Sequence, residues 1–130
     1  GKPWLPVKPP HSALAVAEQE KDEGSLLNFY RSLIAWRKQH PVLIDGDARF
    51  LRLPEPLLGF RRTGEDGQSL LCLFNLSPEA RVLKVSGTLN GLEPVSNAAS
   101  LDGKTLALGP NGYAFIAEAG NKPARVRVAD

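Results

Sequence analysis

The sequence has no methionine, a single cysteine and only two histidines, and each scarcity removes a class of chemistry. Cys72 has no second thiol to pair with, so no disulfide can form within the chain. His11 and His40 have no Cys, Asp or Glu cluster at ligand spacing, so neither a metal site nor a cofactor is expected. No uninterrupted apolar run approaches the roughly 18 residues that a membrane-spanning helix needs. Long blocks of one charge sign are missing too: 16 basic and 14 acidic side chains are scattered to a formal net charge of +2. The densest basic spots, Arg61 with Arg62 and Arg125 with Arg127, are pairs, whereas a nucleic-acid reader wants a basic stripe interleaved with stacking aromatics. Neither nucleic acid nor membrane is an expected partner. With one cysteine and no secretory leader in the sequence, the expected setting is reducing and cytoplasmic.

What is present suits a folded protein. Hydrophobic residues make up 42% of the 130 and charged residues 23%, ordinary values for a single soluble unit. Residues 1–10 carry Pro3, Pro6, Pro9 and Pro10, which fix φ and remove donors, and this predicts an extended arm rather than a helix. From Ser25 to Gln39 the spacing of Leu26, Leu27, Tyr30, Leu33 and Ile34 predicts an amphipathic helix. Asp22 to Ser25 supply its start, Arg37, Lys38 and His40 favour its negative end, and Pro41 stops it.

Beyond Pro41 the period shortens to two, or to short apolar runs between turn residues. Strands are predicted over 47–53, 57–63, 69–76, 81–86, 92–96, 105–108 and 113–118, with a hairpin loop over 64–68 and another through Asp102 and Gly103. The fold class is therefore mainly β, a small antiparallel, Greek-key-like sandwich of about seven strands preceded by one amphipathic helix. The 69–76 strand is apolar on both faces, which places it centrally. The expected organisation is an arm over 1–24, the helix over 25–41, a β-domain over 42–118 and a frayed tail over 119–130.

Candidate chemistry is sparse. Asp45 with Asp47, and Glu65 with Asp66, could be read as the paired carboxylates of a sugar hydrolase, but both pairs flank glycines in predicted turns, where acidic side chains bind backbone and water. Cys72 lies within an apolar strand and reads as an inert core thiol. Asn75-Leu76-Ser77 spells a glycosylation acceptor, yet an Asn at a strand end before Pro78 more simply satisfies its own turn. Trp4 and Trp36 could stack on sugars, but both lie outside the β-region. No residue is assigned as catalytic, cofactor-binding or metal-ligating.

One likeness goes beyond these patterns. Trp4-Leu5-Pro6-Val7, Val16-Ala17 with Gln19 ahead of Asp22, Ser25 through Arg31 continuing to Arg37, and His40-Pro41 occur in order. Gly46, Leu73-Phe74-Asn75-Leu76-Ser77, and Leu108 with Pro110, Gly112 and Tyr113 follow. In this order the chain resembles the C-terminal portion of bacterial α-glucosidases and oligo-1,6-glucosidases of the α-amylase family. The resemblance implies that the helix is the last of a catalytic (β/α)8 barrel and that the strands form the C-terminal β-domain beside it. The catalytic acids would lie on earlier barrel strands, so this chain would not be an enzyme by itself. It implies a bracing role for a retaining glycoside hydrolase acting on α-glucosidic bonds of short sugars. The barrel is then the expected partner, without direct sugar binding by the β-domain, and with self-association possible through the uncovered helix face. The alternatives are a carbohydrate-binding module and a domain of a non-catalytic barrel relative.

Overall fold

The computed structural model describes residues 4–6, 8–120 and 122–129. The chain divides into two compact units, Gly1–Gln39 and His40–Asp130.

In the first unit, α1 (Pro9–Ala13) and α2 (Val16–Gln19) precede α3 (Leu26–Lys38). The extended arm expected over residues 1–10 is thus corrected at its end, because Pro9 and Pro10 occupy the first turn of α1. Proline is tolerated there, since the first-turn N–H groups have no helical acceptor anyway. Residues 1–3 and 7 of that arm lie outside the described residues. α3 forms where the periodicity places it. Ser25 is its N-cap, accepting from Asn28 N at 3.3 Å and donating to Gln19 O at 2.6 Å. Asn28 Nδ2 also donates to the carbonyls of Gln19 and Asp22 at 3.0 and 2.8 Å, while Gln19 Oε1 accepts from Leu27 N. Gln19, Ser25 and Asn28 together tie the α2–α3 corner.

The second unit opens with a 3-10 turn, Pro41–Leu43, and continues as an eight-stranded antiparallel sheet. Its strands are β1 (Asp47–Phe50), β2 (Leu57–Thr63), β3 (Ser69–Asn75), β4 (Arg81–Ser86), β5 (Thr88–Leu92), β6 (Asn97–Asp102), β7 (Thr105–Ala119) and β8 (Arg125–Val128). The order is β1-β2-β3-β7-β4-β8, with β5 and β6 also paired to β7. The mainly β, antiparallel expectation stands, but three details change. The strand expected over 92–96 is replaced by β5, which ends at Leu92, and by β6, with residues 93–96 connecting the two. The two strands expected at 105–108 and 113–118 are halves of one, β7. The tail expected to fray contributes β8, whose Val126 and Val128 oppose Val85 and Leu83; residues 121 and 130 of that tail are outside the described residues.

β7 curls the sheet by changing partners along its length. Its first half pairs with β4 and its second half with β3 and β5, while β6 pairs mainly with the first half and reaches Tyr113 across the bend through Asn97. Between them lies Gly109-Pro110-Asn111-Gly112, with Asn111 at φ +51. At Gly112 an added Cβ would come within 2.5 Å of Ala98 O, so the backbones approach too closely for any side chain. The curl brings Leu71 and Leu73 of β3 into one core with Leu83 and Val85 of β4 and Leu106, Leu108 and Ile116 of β7, all fully buried. β3 is covered on both faces as expected, with Leu70, Leu71, Cys72 and Leu73 all at 1% exposure or less.

Candidate functional site

The register of the sheet assigns each inward-facing side chain. Leu57 and Gly59 of β2, Leu71 and Leu73 of β3, and Ala114 and Ile116 of β7 face the core. Continuing each alternation by two residues brings Arg61, Ser69 and Glu118 to the same interior face at one end of the curl. There Arg61 donates from Nε to Glu118 Oε2 at 2.6 Å and from Nη2 to Oε1 at 3.0 Å. Ser69 Oγ donates to Oε2 and Ala124 N to Oε1, both at 2.5 Å. Arg61 Nη2 also donates to Ala124 O at 2.5 Å, which fastens the segment leading into β8. An open cavity of about 480 Å³ adjoins this cluster, lined in addition by Asp47, Arg49 and Lys122.

Glu118 has the most confined carboxylate of the site, with a side chain 3% exposed against 14% for Arg61. Burial by itself raises its pKa, but the hydrogen bonds from Arg61, Ser69 and Ala124, with the guanidinium charge, outweigh it and hold the carboxyl below its ordinary range. Each oxygen accepts two hydrogen bonds, which occupies the roughly four acceptor positions of a carboxylate. A saturated, ionised carboxylate can neither deliver a proton at neutral pH nor attack a sugar. The arrangement closes one end of the core.

The other end is closed by Asn75 and Ser77, buried at 1% and 6% exposure. Asn75 Nδ2 donates to Glu79 O and Gly109 O at 2.7 and 2.8 Å, and Oδ1 accepts from Ser77 N and Oγ. Asn111 N then donates to Ser77 O at 2.9 Å. The glycosylation tripeptide is therefore a pin under the bend of β7, and in the folded chain its amide is buried and fully engaged.

The remaining sequence candidates are dispersed. Asp45 and Asp47 are exposed beside Gly46, and Asp66 Oδ1 accepts from Gln68 N at 3.0 Å within its own turn, with Glu65 exposed next to it. His11 is exposed on α1, whereas His40 Nε2 lies 3.4 Å from Glu93 Oε2. Burial pushes the Cys72 thiol up to about 12 against the nearby charge of Arg62, leaving it protonated and unreactive. Trp4 is 89% exposed and Trp36 is 8% exposed. Among the described residues no group of three or more His, Cys, Asp or Glu is placed to hold a metal ion, and no helix is long and apolar enough to cross a membrane.

Sequence reasoning missed the Arg61–Glu118 cluster, reading Arg61 only as half of a basic pair. The signal was available in parity: Arg61, Ser69 and Glu118 each fall on the apolar phase of their strand. It also missed the aromatic row on the opposite face. Phe50 and Phe60 meet edge to face at 5.9 Å, while Phe60 with Phe74 and Phe74 with Tyr113 are stacked at 5.9 and 6.1 Å. The row crosses β1, β2, β3 and β7, and Phe50 at its end is 74% exposed.

No protein-family model matches the sequence. Over 93 residues the chain is 40% identical to a probable α-glucosidase of Rhizobium meliloti (strain 1021), a match covering 72% of this chain and 16% of that protein. It is 37% identical over 84 residues to a probable oligo-1,6-glucosidase 2 of Bacillus subtilis (strain 168), covering 65% of this chain and 15% of the relative. In structure it is similar to the α-glucosyl transfer enzyme XgtA, with a TM-score of 0.82 and 36% identity over 92% of this chain and 22% of the other. The trehalulose synthase MutB of Pseudomonas mesoacidophila matches with a TM-score of 0.70 and 25% identity over 90% of this chain and 22% of the other. The chain thus spans about one sixth of the length of these curated relatives.

Proposed function

We propose, on the premise that this chain is similar in sequence and fold to the C-terminal portion of α-amylase-family α-glucosidases and oligo-1,6-glucosidases, that it is the non-catalytic β-domain and last barrel helix of such a glycoside hydrolase. Its role is to brace a catalytic barrel that supplies the nucleophile and the acid/base. The parent enzyme cleaves α-glucosidic bonds of short sugars and works in the cytoplasm, where Cys72 stays reduced.

The observation that carries this reading is the surface of α3. Leu26, Tyr30 and Ile34 recur every four residues on one face and are 65%, 54% and 49% exposed. An apolar stripe of this kind is a contact surface, and the last helix of a barrel has neighbouring barrel elements to cover it. The saturation of Glu118 is consistent with a domain that does no chemistry.

A carbohydrate-binding role is the second reading, favoured by the aromatic row, whose stacked rings could receive the flat face of a sugar. Titration of the chain with maltose and isomaltose, followed by proton–nitrogen correlation spectra, separates the two. Dispersed β-type resonances without saturable shifts are expected, together with no hydrolysis of 4-nitrophenyl α-D-glucopyranoside. Saturable shifts that vanish in Phe60→Ala or Tyr113→Ala would replace bracing by sugar binding.

A further inference from the structure

The β4–β8 edge of the sheet gathers cations around a cavity that no carboxylate lines among the described residues. Lys84 lies opposite Arg127 and Ser86 opposite Arg125 in the antiparallel register, so these side chains share a face. It is the solvent face, because Leu83 and Val85 of the same strand point the other way and are fully buried. Lys104, in the turn between β6 and β7, joins them around an open cavity of about 500 Å³. No acidic residue lines this cavity, and none of the four cations enters an ion pair among the described residues. Lys84 Nζ is fixed by donation to Thr105 Oγ1 at 2.7 Å. Asp102 shares the row of Lys84 but lies one strand further on, opposite Thr105 on β6.

Like charges placed directly opposite each other across an antiparallel pair are destabilising. Arginine and lysine on an edge strand do discourage strand addition, but that purpose needs only scattered charge. Here cations from β4, β8 and a separate turn surround one cavity, with the Ser86 hydroxyl beside them. We propose that this face is a binding site for a multivalent phosphate group. The guanidinium groups of Arg125 and Arg127 suit forked contacts to its oxygens, Lys84 and Lys104 act as point charges, and the Ser86 hydroxyl, which donates to Arg125 O at 3.4 Å, can exchange that long contact for a phosphate oxygen. No aromatic side chain lines the cavity, so a nucleic-acid strand would find charge without a stacking platform.

The test is a titration of the 130-residue chain with pyrophosphate, orthophosphate and glucose 6-phosphate at constant ionic strength, read by proton–nitrogen correlation spectra. Saturable shifts are expected at Ser86, Lys104, Arg125 and Arg127. Tighter binding of pyrophosphate would identify a free oligophosphate as the ligand, and tighter binding of glucose 6-phosphate a phosphorylated sugar. The double substitution Lys84→Gln with Arg127→Gln is expected to weaken binding at least about tenfold, the loss of a charge-assisted contact. With no anion added, the same substitution should raise the urea midpoint by removing the opposed charges. Shifts that sodium chloride reproduces, affinity that survives the double substitution, or tighter binding of a single-stranded oligonucleotide would overturn the assignment.

Discussion

Glu118 has no unoccupied lone pair, and that fixes what its loss should do. Its folded pKa is lowered, so relative to the unfolded chain it favours the deprotonated native state. The stability it contributes is complete above the ordinary carboxylate range, near pH 4.3 in the unfolded chain, and is lost as pH falls through the depressed folded value. Glu118→Gln leaves the Arg61 guanidinium half-paired in a confined place, and a loss of about 3–5 kcal/mol is expected in urea unfolding at neutral pH. The variant should also lose the part of the acid sensitivity that Glu118 supplies; an unchanged pH profile would mean that the cluster is not held as described. Cys72 offers a second residue-scale check. A buried thiol raised to about 12 should react with Ellman's reagent only after unfolding, and fast labelling of the native chain would show that β3 opens.

At the scale of elements, the bend of β7 and the start of α3 are each held by a small polar cluster, one centred on Asn75 and the other on Ser25. Asn75→Ala would remove the side-chain donor to Gly109 O and the acceptor of Ser77 N, and would leave Glu79 O only the hydrogen bond from the Ser77 hydroxyl, a buried deficit of about 2–3 kcal/mol. Gly112→Ala should be at least as severe, because its Cβ meets a carbonyl oxygen rather than a flexible side-chain end. Thermal unfolding of the two variants ranks these effects, and a wild-type melting temperature for either would refute the pin. At the helix, Ser25→Ala removes a cap and a donor to Gln19 O, and a loss of about 1 kcal/mol is expected. The helix was legible because capping and a 3.6-residue period are local signals. The partition of β7 was not, since its two halves look like separate strands around a Gly-Pro-Asn-Gly turn. Only the partners on either side reveal that the chain continues through the bend.

At the scale of the whole molecule, the exposed stripe of Leu26, Tyr30 and Ile34 predicts concentration-dependent self-association of the isolated chain. Ile34→Glu should shift sedimentation velocity towards the monomer without changing the β-type circular dichroism. A wild-type chain that is monomeric at millimolar concentration would remove the argument that this face is built to be covered. The same stripe is where the sequence resemblance and the structure meet, because the quoted family residues of the helix include those that face outwards.

Local chemistry in the sequence determined the existence of α3, the run of short antiparallel strands, the central place of β3 and the burial of Cys72. Each of these follows from a period, a cap or a continuous apolar run contained in a dozen residues. Tertiary structure decided the rest: which polar residues face inwards, that Arg61 meets Glu118 across 57 positions of chain, that residues near the end of the chain form β8, and that Lys84 and Arg127 share a face. Those pairings depend on strand register and on the curl imposed by β7, and neither quantity is written in any single segment.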